Sequence, residues 1–297
     1  MTKLRLSLRN SVRIALNSLT CLLLACLCGC SSSTTSTFSR QNITQSIQDI
    51  CKEEYALDIK AKLAGDTLWI YIPVEDILTE TDPPVKYTEE FNIETNESEI
   101  KDGLVKVNYN IKPVPKIEKY QEKKYNEKVI EKINNVMIVL RRVIFSMERK
   151  KSKEPAFYSI IAADIKNGLI MWSTLYYLDL KKVSYGFISW TEYQHRNISD
   201  IVMAPQVKDD KEGKNIQYSD ITLEEFIAAQ ISHRIKLKFQ KPEVDENADI
   251  DKEIRKIITT TLKIYGFSDF YEAQLYNSLT KNKIIINRKA VLEHSTE

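Results

Sequence analysis

The residues of this chain whose type and spacing could support chemistry are concentrated around position 30. Leu27-Cys28-Gly29-Cys30 ends a largely apolar run, residues 14–28, and precedes the polar run Ser31–Thr37. A basic start, a short apolar run and small residues at a cut site are the pattern of a secretory signal peptide. The apolar run is short for a bilayer span, and Asn17 and Ser18 interrupt it.

Leu27 to Cys30 resembles the lipobox of bacterial lipoprotein precursors, in which a hydrophobic residue and two small residues precede the acylated cysteine. The resemblance implies that residues 1–29 are removed and that Cys30 carries the lipid that holds the chain to a membrane. Several acyl chains make a stable anchor. In this family an Asp after the cysteine retains the protein at the inner membrane, so Ser31 favours the outer membrane, facing the periplasm. The alternatives are secretion with cleavage elsewhere and an uncleaved anchor.

Beyond Cys30 the sequence offers no set of side chains with catalytic or metal-binding spacing. His195, His233 and His294 do not share a helix face, and neither HExxH nor CxxC follows the signal segment. His195 with Glu192 and Asp200 is the one combination that could assemble a metal site, which needs three or four converging ligands. We therefore predict no catalytic residue, no metal and no cofactor, and keep His195 as a surface candidate.

Composition excludes other classes of function. The net charge of +2 becomes about −2 once the four basic residues of the first thirteen positions are removed, so no nucleic-acid partner is expected. The seven glycines are scattered, whereas phosphate-binding loops need them clustered. Cys51 is the one cysteine besides Cys30 in the mature chain, so no intrachain disulfide is expected. Cys51 lies on an apolar stripe and is predicted to be a small buried hydrophobe.

Residues 157–193 hold nine of the 27 aromatic residues of the chain. The favoured interpretation is a sheet core, because aromatics suit half-buried strands. The alternative is an exposed platform for glycan or peptide stacking. Tyr158 and Tyr177 fall on the strand faces opposite Phe157 and Trp172, so we expect these two tyrosines to be the exposed pair.

Hydrophobic periodicity and turn signals predict an α+β protein in which antiparallel hairpins pack against helices. The predicted helices are residues 39–55, 117–149, 223–233 and 249–265. The predicted strands or hairpins are residues 57–73, 104–111, 157–180, 181–197, 234–240 and 270–287. Residues 75–102 are expected to be an exposed acidic connection with at most a short edge strand, and residues 206–220 a polar loop.

A helix followed by a hairpin is predicted three times, at 39–73, 117–180 and 249–288, as a weak repeat. The expected organisation has five parts. They are the signal peptide 1–29, a Ser/Thr-rich tether 30–38, an N-terminal α+β module 39–115, a long-helix and aromatic-hairpin module 116–220, and a C-terminal α+β module 221–297.

These observations predict a lipid-anchored protein of the bacterial cell envelope that binds an envelope protein and does not catalyse a reaction. This expectation rests on the predicted lipid, the predicted tether and the lack of residues with catalytic spacing. A periplasmic hydrolase, or a lipoprotein that binds a glycan or small molecule, is the alternative.

Overall fold

The computed structural model describes residues 38–147, 154–240 and 248–293. The predictions for the signal peptide, Cys30, the tether up to Thr37 and His294 lie outside these residues. The described helices are α1 (Ile43–Tyr55), α2 (Glu127–Phe145), α3 (Tyr177–Ser184), α4 (Trp190–Arg196), α5 (Leu223–Gln240), α6 (Ile250–Ile264) and α7 (Arg288–Glu293). The described strands are β1 (Lys60–Ala64), β2 (Thr67–Val74), β3 (Leu78–Lys101), β4 (Leu104–Tyr125), β5 (Phe157–Asp164), β6 (Leu169–Tyr176), β7 (Ile198–Met203), β8 (Glu272–Asn277) and β9 (Asn282–Asn287).

The predicted α+β class is confirmed, with two mixed sheets. The first sheet has the order β1-β2-β5-β6-β7, and β2 and β5 are its parallel pair. Helices α1 and α2 cover one face of it, where the apolar stripe of α1 (Ile43, Ile47 and Cys51) is fully buried. Cys51 is thus the buried hydrophobe that its position predicted, and burial raises the pKa of its thiol to about 11.

The second sheet has the order β3-β4-β8-β9, and β4 and β8 are its parallel pair. Helices α5 and α6 cover it with apolar side chains, among them Ile231, Ile235 and Ile258. The predicted repeat is not confirmed. Each of the three hairpins does follow a helix, but two of them pair side by side in the first sheet and the third belongs to the second.

Two predictions about the region of strands β3 and β4 are wrong. The segment predicted as an exposed connection is the 24-residue strand β3, and residues 117–125 of the predicted long helix belong to β4. Helix α2 therefore begins only at Glu127, behind the capping residue Asn126. Residues 104–111 of β4 were predicted as a strand, but the rest of β4 and all of β3 are largely polar and lack the alternation of apolar and polar residues that predicts a strand with one buried face.

Three more boundaries differ from the predictions. Residues 223–240 form one helix, because α5 is buried on more than one side and lacks the single apolar stripe of a surface helix. Strand β6 ends at Tyr176, and the predicted strand 181–197 contains the end of α3 and all of α4. None of the helices described here is long and apolar enough to cross a membrane.

Candidate functional site

A small basic cleft lies between helices α4, α5 and α6. Its volume is about 220 Å³. It is lined by His195, Arg234, Leu237, Lys238, Glu253, Lys256, Ile257 and Thr260. The lining includes three cations, Arg234, Lys238 and Lys256, and one carboxylate, Glu253, which lies 3.6 Å from Lys238. Positive charge is therefore in excess. The cleft suits one phosphate or carboxylate group, and it is smaller than a typical pocket for a drug-sized ligand.

A largely buried network of charges adjoins this cleft and shares Arg234 with it. The guanidinium of Arg196 lies 2.7 Å from Asp179 and 2.7 Å from Glu192, and Arg234 lies 3.0 Å from the same Glu192 oxygen. The side-chain amide of Gln230 donates to the Arg196 carbonyl. Burial by itself would raise the pKa of Glu192, but the hydrogen bonds and charges of the two arginines outweigh it and lower that pKa. The network holds α3, α4 and α5 together.

His195 is the predicted candidate that reaches the cleft, but its expected neighbours do not join it there. Glu192 is held by the two arginines, and Asp200 accepts a hydrogen bond from Lys236 at 2.8 Å. Within residues 38–147, 154–240 and 248–293 there is no cluster of three or more His, Cys, Asp and Glu side chains able to hold a metal ion.

The prediction that Tyr158 and Tyr177 form an exposed pair is wrong. Tyr158 is 0% exposed, because β5 is central in its sheet and buried on both faces. Tyr177 is half-buried at the start of α3, where its hydroxyl lies 3.0 Å from the Nζ of Lys181. The core interpretation fits the strand aromatics, since Phe157 is buried and Trp172 and Tyr176 are half-buried.

The exposed aromatics of this region lie instead in the turn between α3 and α4 and at the first residue of α4. Phe187 is 78% exposed, Trp190 59% and Tyr185 58%. This segment lies within the predicted strand 181–197, so the exposed aromatic cluster was not predicted. Gly186 and Ser189, two turn-favouring residues within an aromatic run, were the signal that identifies it.

A second exposed surface is the part of the β3–β4 hairpin that extends beyond the second sheet. We call residues 78–90 and 116–125 the ribbon. None of its side chains whose burial is described is buried. Its large exposed apolar side chains are Val85, Tyr87, Tyr120 and Tyr125. The register pairs Val85 with Gln121 and Tyr87 with Lys119, and it pairs Tyr120 with Lys86, so apolar groups are presented on both faces.

The ribbon is fixed to the first sheet at its base. The Ile77 N–H donates to the buried carboxylate of Asp164 at 2.9 Å, and the Asn126 N–H donates to the Ile77 carbonyl at 2.9 Å. Burial alone would raise the pKa of Asp164, but hydrogen bonds from Asn167 and from Ile77 lower it. The base therefore lies at the N-terminal end of α2.

Comparison with known proteins gives no family model, no curated protein and no solved structure that matches this chain. Its candidate surfaces are therefore weighed by their own chemistry. The cleft offers cationic donors in a small volume, whereas the ribbon and the aromatic turn offer exposed apolar side chains on fixed backbone.

Proposed function

We propose that this protein is a lipid-anchored component of the bacterial cell envelope that docks an envelope protein through the ribbon and does not catalyse a reaction. The observation that carries the docking role is the ribbon, which presents tyrosines to solvent on both faces. The lipobox resemblance at Leu27–Cys30 supports the anchor.

An isolated two-stranded ribbon is marginally stable in water, and burial of its faces stabilises it. Cross-strand ion pairs link its two strands, as between Lys86 and Glu118 at 2.6 Å and between Lys116 and Glu90 at 3.6 Å. Many charged side chains of the ribbon are therefore paired with one another, and its tyrosines remain free to contact a partner protein. Exposed tyrosines are enriched where protein surfaces meet.

The position of the ribbon also suits a tethered docking element. Phe38, where the tether joins the fold, forms a bridge with Met147, just beyond the C-terminal end of α2. The base of the ribbon lies at the other end of this 19-residue helix, a distance of about 28 Å at 1.5 Å per residue. Helix α2 thus separates the base of the ribbon from Phe38.

Site-specific photo-crosslinking in the lipid-carrying full chain tests the docking role. A photoreactive residue at Tyr120 is compared with one at Leu279, which is exposed in the β8–β9 turn. We expect one reproducible protein adduct from Tyr120 and none from Leu279. With that partner purified, Tyr120→Ser is expected to raise the Kd at least about tenfold. Equal adducts at both positions, or no change in Kd, would contradict docking at the ribbon.

Mass analysis of the mature N-terminus tests the anchor separately. We expect cleavage before Cys30 and a mass increase that corresponds to acyl chains on this residue. An unmodified Cys30, or cleavage at another residue, would overturn the anchor and leave the docking result unaffected.

The basic cleft supports a second candidate function, the binding of a small anion. The specific observation is the Nε of Arg234, which is buried and has no hydrogen-bond partner within the described part of the chain. Titration with inorganic phosphate tests this function. Saturable binding that Lys256→Gln weakens would support it, and binding unaffected by Lys256→Gln would contradict it.

A further inference from the structure

We propose that the exposed aromatic turn between α3 and α4, together with the adjacent face of α2, is a membrane-contact surface that rests on the bilayer carrying the lipid anchor. We call Ile138, Arg141, Tyr185, Phe187 and Trp190 the aromatic patch. The inference rests on the proposed anchor at Cys30, and it assigns a role to a surface that protein docking at the ribbon leaves unused.

Hydrogen bonds fix the backbone of the turn that carries the aromatic side chains. The Phe187 N–H donates to the Lys182 carbonyl at 2.8 Å, and the Ser189 hydroxyl caps α4 by accepting from the Glu192 N–H at 3.0 Å. Gly186 supplies the positive φ of +76° that the turn needs. Hydrogen bonds thus fix the turn, and its Phe187 side chain remains 78% exposed.

Helix α2 extends the apolar surface. The Phe145 ring packs edge-on against the Tyr185 ring with centroids 5.8 Å apart. Ile138 lies two turns before Phe145 on the same helix face and is exposed. Arg141 lies between them, is exposed, and donates to the Ser184 hydroxyl at 3.4 Å.

This combination is the chemistry of a membrane–water interface. Tryptophan and tyrosine concentrate at the headgroup level, where the ring is apolar and the N–H or O–H stays hydrated. Phe187 and Ile138 supply side chains without a polar group for the acyl boundary. Arg141 supplies a cation for lipid phosphates.

The position of Phe38, eight residues after the proposed lipid anchor, favours a membrane over a protein as the partner of the aromatic patch. Phe38 bridges to Met147, two residues beyond the Phe145 ring that contacts Tyr185. Cys30 precedes Phe38 by eight residues, which span at most about 28 Å when extended. A lipid on Cys30 therefore keeps the end of the fold that bears the aromatic patch within reach of the bilayer, with the base of the ribbon at the other end of α2.

Quenching of Trp190 fluorescence by brominated lipids tests the patch. The lipid-carrying chain is reconstituted on vesicles of phosphatidylethanolamine and phosphatidylglycerol, with and without bromine on the acyl chains. The Trp190→Phe variant is subtracted to remove the emission of Trp69 and Trp172. We expect quenching of the Trp190 emission, and we expect Phe187→Ser to reduce it at least about twofold. Met203→Ser, a similarly exposed apolar position at the end of β7, is the matched control and should leave quenching unchanged.

Flotation of the same vesicles separates this proposal from the anchor. A chain that floats with the lipid but shows no quenching overturns the patch and leaves the anchor intact. Quenching with an unmodified Cys30 supports the patch and overturns the anchor, whereas a chain that neither floats nor is quenched overturns both. Quenching that Phe187→Ser does not reduce, or a protein adduct from a photoreactive residue at Phe187, also overturns the membrane assignment.

Discussion

The first sheet and the ribbon use the same backbone pairing and place their side chains in opposite environments. All eight residues of β5 are buried, between β2 and β6 and beneath α1 and α2. In the ribbon, no side chain of residues 78–90 is buried. Burial of apolar area dominates folding stability, so the sheet stabilises the fold and the ribbon depends on the sheet for its position.

Ion pairs show the same contrast. Arg196 and Asp179 are buried together at 2.7 Å, whereas Lys86 and Glu118 are paired at 2.6 Å with both side chains more than half exposed. A pair in water contributes little to stability, because each partner is solvated almost as well alone. A buried charge that loses its partner cannot be solvated by water instead, so loss of the partner is costly.

The largest expected effect comes from breaking the buried pair. Arg196→Met leaves Asp179 buried without its cation, and we expect the free energy of unfolding to fall by about 4 kcal/mol. Urea denaturation measures it. In the matched ribbon variant Lys86→Met, Glu118 returns to water, and a change within about 1 kcal/mol is expected. Equal losses in the two variants would contradict the contrast.

Two apolar positions on α2 extend the comparison to the helix that covers the first sheet. Leu140 is fully buried and Ile138 is exposed on the same helix. Leu140→Ala should destabilise the protein by about 3 kcal/mol, because it leaves a cavity in the core. Ile138→Ala should change stability by no more than about 0.5 kcal/mol in the same urea titration. A large loss from Ile138→Ala would show that this face packs against something in the folded chain.

The pH dependence of stability tests the same contrast between buried and exposed charges at His233, a half-buried residue on α5. Burial first, and then the charges of Lys236 and Arg234, lower the pKa of His233 to about 4. In the unfolded chain the pKa of His233 is about 6.5. As the pH falls, His233 therefore binds a proton in the unfolded chain before it does so in the folded chain. Stability should therefore drop by about 2 kcal/mol between pH 7 and pH 5 on account of His233. Urea titrations at both pH values should show a smaller drop in His233→Gln, and an identical drop would exclude this cause.

The smallest expected effect lies in the ribbon itself. Tyr120 is 61% exposed, so Tyr120→Ser should change the free energy of unfolding by no more than about 0.5 kcal/mol. Thermal unfolding monitored by circular dichroism measures it. A much larger loss would show that the ribbon stabilises the fold, and the docking experiment with this variant would then need a different surface substitution.

Periodicity predicted the elements that bury one face. The stripe of Ile43, Ile47 and Cys51 identified α1, and the Asn167-Gly168 turn identified the β5–β6 hairpin. The same method found the first part of α5, residues 223–233, but was wrong in predicting a strand at 234–240, since the buried residues of α5 include Phe226, Ala228 and Gln230 on several sides. A helix covered from more than one direction has no single apolar stripe to detect.

Of the candidate site residues, His195 reaches a cleft, Tyr158 is buried and Tyr177 is half-buried. The prediction for both tyrosines depended on the alternation of side chains along a strand. That rule fails for Tyr158 because both faces of β5 are covered, and for Tyr177 because the strand ends one residue earlier. The exposed aromatic patch depends on a turn whose direction no local pattern specifies.

The sequence by itself determined the α+β class, the burial of Cys51 and the expectation of an anchor at Cys30, because each depends on residues close together in the chain. Only the tertiary structure decided which sheet each hairpin joins, that β3 and β4 form a ribbon, and that Phe38 pairs with Met147 close to the Phe145–Tyr185 contact of the aromatic patch. The assignment of hairpins to sheets and the position of the patch depend on contacts between residues distant in sequence, and those contacts are selected by the free energy of the whole fold.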